Sequence, residues 1–151
     1  MPKPAATSTP MEELRNDAHP ACFVCAPEHS GGLRLHFVPQ TDGSVAAEFG
    51  CDPIYEGYPG VVHGGVVASL MDGAMTNCLF RLGHVAVTAD LHIRFRHPLR
   101  TGQQAAVRAW LTRDASPLFV LEAQVTQAGQ VKATAIGKFM KTGGYAVGGE
   151  R

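Results

Sequence analysis

The sequence has no surplus of charge of either sign: 13 Lys and Arg side chains stand against 13 Asp and Glu. Binding to nucleic acid or to an anionic membrane surface usually rests on a marked basic excess, so neither partner is expected. Long apolar runs are also missing. Residues 1–18 combine Lys3 and three prolines with the polar stretch Met11-Glu12-Glu13-Leu14-Arg15-Asn16-Asp17, and nothing there supplies the apolar core of a secretory signal or membrane span. A cytoplasmic location is the expectation. Cysteines are few, and Cys22, Cys25, Cys51 and Cys78 lack the dense spacing of a disulfide-stapled scaffold, which predicts reduced thiols. There is no internal repeat. A chain of 151 residues, 45 % of them hydrophobic, suffices for one compact core.

Hydrophobic periodicity orders the elements. Residues 33–40 alternate, with Leu33, Leu35 and Phe37 on one side, and after the Asp42-Gly43 turn a second alternating run covers 44–51, which predicts a hairpin. Pro53, Gly57, Pro59 and Gly60 then impose an irregular loop. From 65 to 82, Val66, Val67, Leu70, Met71, Ala74, Met75, Cys78 and Leu79 recur at spacings of three and four, the pattern of one long helix with a wide buried face that Gly83 closes. Four strand-like runs follow at 86–97, 103–113, 118–126 and 131–141, separated by turn residues. In the first, Val87, Ala89, Leu91, Ile93 and Phe95 are expected on one face and Thr88, Asp90, His92, Arg94 and Arg96 on the other.

The pattern predicts an α+β fold, with one long helix packed against a curved antiparallel β-sheet. One helix cannot cover every strand, so a second copy of the chain is expected to bury the remaining edge or face. Residues 1–18 read as a flexible arm with one helical turn or two, 19–141 as the domain, and 142–151 as a loose tail.

The chemistry concentrates between Gly57 and Ala74. His63-Gly64-Gly65 opens the helix, and unpaired amides at a glycine-rich helix start can hold a carbonyl oxygen as it gains negative charge. Asp72 is the only acid from Gly57 through Ala89 and lies among Leu70, Met71, Ala74 and Met75. A carboxylate in such company is costly unless paired or used, as a nucleophile or as a base that activates water.

His63-Gly64-Gly65 followed by Leu70, Asp72 and Ala74 resembles the motif of the PaaI-like branch of hotdog-fold acyl-CoA thioesterases, in the 4-hydroxybenzoyl-CoA thioesterase superfamily. The resemblance extends to the strand from Thr88 to Gly102, and to Cys22-Phe23-Val24-Cys25 with Gly31-Gly32-Leu33, and it covers roughly residues 19–141. It implies a hotdog fold and hydrolysis of acyl-CoA or aryl-CoA thioesters to free acid and coenzyme A. Asp72 would be the nucleophile or general base, with the Gly64 amide of the partner subunit polarising the carbonyl, His63 orienting it, and Thr88 positioning water or Asp72. Substrate contacts would come from Val62, Gly65, Phe95, Arg96, His97, Pro98 and Arg100. A homodimer, in dimer-of-dimers assembly, is implied, with no cofactor beyond the coenzyme A of the substrate. Some relatives carry Asn or Gln six residues before the histidine, where this chain has Gly57.

Competing readings are a non-catalytic acyl-CoA binding or sensing protein of the same fold, against which Asp72 counts, and a hotdog dehydratase, which usually pairs a histidine with an acid differently. Cys22 and Cys25, with His19, His29 or His36, have the residue types of a zinc site, but a second CxxC pair is absent and the pair reads as a structural loop. No metal ion is expected. Ala68, Gly73 and Ala74 are expected to leave room beside the helix for an acyl or aryl group.

Overall fold

The computed structural model describes residues 7–142. Residues 1–6 of the expected arm and the expected tail from 143 onward lie outside the described residues. Two α-helices and six strands follow in the order α1 (Pro10–Ala18), β1 (Val38–Pro39), β2 (Val45–Gly50), α2 (Gly64–Arg81), β3 (Ala86–Phe95), β4 (Gln104–Ala115), β5 (Leu118–Gln127) and β6 (Gln130–Lys141). Among the described residues the strands form one antiparallel sheet in the order β1-β2-β4-β5-β6-β3, which places β3 at an edge, paired only with β6. The architecture is thus the expected α+β arrangement of a long helix on an antiparallel sheet. None of the described helices is long and apolar enough to cross a membrane.

Alternation makes the sheet one-sided. Along β5 every second residue is buried, and Phe119, Leu121 and Val125 are wholly inaccessible. Against this face lies α2, whose Leu70, Met71, Met75, Cys78 and Leu79 are also fully buried. Burying each such side chain contributes about 1.5–3 kcal/mol, which explains why this helix needs no strong intrinsic propensity. Gly83, at φ +82°, closes the helix as the sequence predicts.

The N-terminal region is more ordered than its composition suggests. Thr9 and Glu12 form a reciprocal capping box at the start of α1, Pro10 takes the first helical turn, and Met11 and Ala18 are buried. The predicted strand over 33–40 shrinks to Val38–Pro39. Leu33, Leu35 and Phe37 are buried as expected, but the Leu33 and Leu35 amides donate to the Phe23 and Val24 carbonyls rather than to β2, and Arg34 adopts φ +50°. The segment therefore forms a strap across α2.

The predicted facing of β3 needs correction. A bulge between Thr88 and Asp90 resets its register against β6. Thr88 lies opposite buried Phe139 and Leu91 opposite Gly137, so Thr88 shares the helix side with Leu91, Ile93 and Phe95. Val87 lies opposite exposed Met140 and turns outward.

Candidate functional site

The loop before α2 is built to present the helix start. The His63 amide donates to the Tyr55 carbonyl, Val62 bonds to Leu99, and Val61 bridges to Arg100, so the 55–63 segment is tied to the loop after β3. His63 is the N-cap, and its Nδ1 accepts from the Gly65 amide at 2.8 Å. The Val66 and Val67 amides donate to the His63 carbonyl. Among the described residues, the Gly64 N–H alone in this first turn has no acceptor. Occupation of Nδ1 as an acceptor leaves Nε2 as the donor of the neutral ring tautomer.

Gly64 opens onto a cleft of about 710 Å³ lined by Val61, Val62, Val67, Phe95 and Leu99, with Arg96, His97 and Lys132 supplying its polar side. A Cβ on Gly64 would meet the Phe95 ring at an ordinary contact distance of 3.6 Å. The residues expected to contact substrate divide in two: Val62, Phe95, Arg96, His97 and Pro98 line the cleft, whereas Gly65 and Arg100 do not. The Gly65 amide is used by His63, and the Arg100 backbone is clamped by the buried Gln127 side chain. Arg94 and Arg96 both line a groove beside Trp110, Arg96 also reaching the cleft, whereas Arg100 lines neither. Lys132, which sequence reasoning missed, reaches the cleft through the backbone: its carbonyl accepts from both Arg96 and His97.

Asp72 sits two turns further along α2. Its Oδ1 accepts from Thr88 Oγ1 at 2.7 Å, a bond made possible by the β3 bulge that brings Thr88 to the helix side. Burial raises its pKa; the Thr88 hydrogen bond opposes that rise, as does charge on His19, while negative charge on Cys22 adds to it. The other carboxylate oxygen has no partner among the described residues. Asp72 does not line the Gly64 cleft. Eight residues of helix separate the two, or about 12 Å of rise, so within one protomer they cannot act on the same carbonyl group.

Thr88→Ala removes the bond that favours the ionised carboxylate. The acidic limb of a rate profile governed by Asp72 should therefore move to higher pH, because the base is lost as pH falls through its pKa. Thr88→Ser should restore the wild-type profile.

The space expected beside the helix for an acyl group is partly filled. Val24 occupies the position beside Gly73, where a Cβ would stand 2.4 Å from Val24 Cγ1, and Ala74 is fully buried. At Gly57, where some relatives have an amide side chain, a Cβ would lie 3.2 Å from His63 Cα, so the loop closes tightly on the histidine.

A helix cradled by an antiparallel sheet, with a glycine-opened helix start over an apolar cleft, defines a hotdog-fold protein. Residues 59–134, half of the chain, match the thioesterase superfamily. The chain belongs to that superfamily. Among solved structures it is similar to a thioesterase superfamily protein at 24 % identity and TM-score 0.78, covering 92 % of this chain and 73 % of that one. It is also similar to a Streptococcus mutans protein solved with acetyl-CoA, at 23 % identity and TM-score 0.68 over 72 % of this chain and 89 % of that one. The Escherichia coli PaaI protein of the phenylacetic acid degradation operon aligns at 19 % identity and TM-score 0.68, over 72 % and 84 %.

Proposed function

We propose that the chain is an acyl-CoA or aryl-CoA thioesterase of the PaaI-like branch, acting as a homodimer with two equivalent sites. One observation carries this reading: an unpaired Gly64 amide at a cleft and a half-buried Asp72 carboxylate lie on one helix, too far apart to serve one carbonyl group. A two-fold partner resolves the separation by setting Asp72 of one protomer opposite Gly64 of the other. The free edge of β3 supports such pairing, since an unpaired edge with exposed Val87 and Phe95 is a template for another strand. The acetyl-CoA in the Streptococcus mutans relative supports the substrate class.

In the proposed reaction, the thioester oxygen rests on the Gly64 N–H and gains negative charge there as the carbonyl carbon becomes tetrahedral. The free oxygen of Asp72 either takes a proton from water, whose hydroxide forms the new C–O bond, or attacks the carbon itself to form an anhydride that water then hydrolyses to free acid and Asp72. Collapse breaks the C–S bond, and the coenzyme A thiolate leaves and is protonated. Apolar cleft walls suit the pantetheine arm, while Arg96 and His97 suit the phosphates of coenzyme A.

The test is thiol release across short, medium, long and aryl acyl-CoA esters, with sedimentation to establish the oligomer. Turnover by a dimer supports the reading. Tight binding without thiol release would instead assign a non-catalytic acyl-CoA binding protein. Arg96→Ala should raise KM about 10-fold for acyl-CoA, the worth of one charge-assisted hydrogen bond, and leave KM for the matching acyl-pantetheine unchanged.

A further inference from the structure

Away from the Gly64 cleft, His19, Cys22 and Cys25 bring their donor atoms together in the loop that follows α1. The His19 ring nitrogen and the two sulfurs all lie within 4.8 Å of one another, with Cys25 Sγ 3.8 Å from His19 Nδ1. In a tetrahedral zinc site, bonds of about 2.3 Å to sulfur and 2.0–2.1 Å to nitrogen hold such donors about 3.5–3.8 Å apart. The three atoms thus need only a small contraction to share one ion.

The surroundings hold this arrangement in place. His19 ends α1 as its C-cap, and its ring packs edge-on against Phe80 with centroids 5.0 Å apart. Arg15 Nη1 donates to the carbonyls of both His19 and Cys25, drawing two of the three residues together from behind. The Val24 amide donates to Cys22 Sγ at 3.3 Å, an interaction that favours a thiolate, and the Ala26 amide closes the turn onto the Cys22 carbonyl. Cys25 is buried, while His19 and Cys22 are half-buried, so an ion has a route in.

We propose that His19, Cys22 and Cys25 form a metal site for zinc or a cation of similar softness, with water in the fourth position. Two sulfurs and an imidazole disfavour Mg²⁺ and Ca²⁺, which prefer oxygen donors. Zn²⁺ takes both sulfurs as thiolates, any proton still held by a thiol passing to solvent, and forms two Zn–S bonds and one Zn–N bond, with no change of oxidation state. The ion joins the end of α1 to the loop that carries Val24 onto Gly73, one residue from Asp72. It is independent of the hydrolase reading, because its readouts need no turnover.

The test adds Zn²⁺ alone, then Co²⁺ alone, to the reduced full chain, followed by desalting, metal analysis and absorption spectroscopy. One equivalent of zinc should be retained and should raise the thermal midpoint, and cobalt should give thiolate charge transfer with the intense visible bands of a tetrahedral site. Cys22→Ser and His19→Ala should each weaken zinc by more than the ~10–100-fold that loss of an outer-shell partner costs. Cys51→Ala should leave binding unchanged. Circular dichroism of the metal-free variants separates lost binding from lost fold, and His19→Gln replaces His19→Ala if the latter unfolds. A reduced wild type that retains no zinc overturns the proposal, as does a cobalt spectrum that persists in Cys22→Ser or shows an octahedral site.

Discussion

Asp72→Asn is expected to lower kcat for thioester hydrolysis by at least about 10²–10⁴-fold, the usual contribution of a positioned acid or base. The substitution is nearly isosteric and keeps an oxygen for Thr88, so the cleft and the proposed dimer should survive. Stability should move the other way. Burial raises the Asp72 pKa in the folded chain, so ionisation costs the native state, and stability attributable to this group falls as pH rises through the folded pKa. A neutral amide escapes that cost, and the thermal midpoint of Asp72→Asn at neutral pH should equal or exceed that of the wild type. Loss of thiol release with an unchanged or higher midpoint would tie the defect to chemistry. A variant that retains most of its rate would remove Asp72 from the mechanism.

Gly73→Val should destabilise the fold by about 3 kcal/mol, the upper end of overpacking costs. Val24 Cγ1 would stand 2.4 Å from the new Cβ, and Val24 is stiff at χ1 and held by its carbonyl, which accepts from the Leu35 amide. Neither side can retreat cheaply. Gly73→Ala presents the same first contact, but a helix gain of about 1 kcal/mol over glycine offsets part of it, so its loss should be smaller. For a chain of this size the valine variant should melt roughly 6–12 °C lower. Adding Val24→Ala should recover much of that difference, a coupling that a double-mutant cycle measures. Recovery would show that close approach of loop and helix is the cause; its failure would place the strain elsewhere on α2.

Much of this architecture is legible in local pattern. The helix over 65–82, its closure at Gly83 and the long strands appear almost where periodicity places them, because each element buries a face whose spacing repeats along its own residues. The capping box of Thr9 and Glu12 was equally available in the sequence as a Thr-x-x-Glu pattern, and it marks α1 within a stretch whose prolines and charges suggest a loose arm. The strand predicted over 33–40 failed for a different reason. Its alternation describes burial correctly, but alternation does not say which backbone will accept the hydrogen bonds, and here they go to residues 23 and 24.

By itself, the sequence determined the kind of elements, their order, the glycine-opened helix start and the isolation of Asp72 among apolar neighbours, since all of these depend on residues close together in the chain. Tertiary structure decided the rest. A bulge in β3 turns Thr88 toward Asp72, and the pairing of β3 with β6 carries Lys132 to the cleft. Such contacts depend on register and on how separate segments pack, and no periodicity within one segment encodes them.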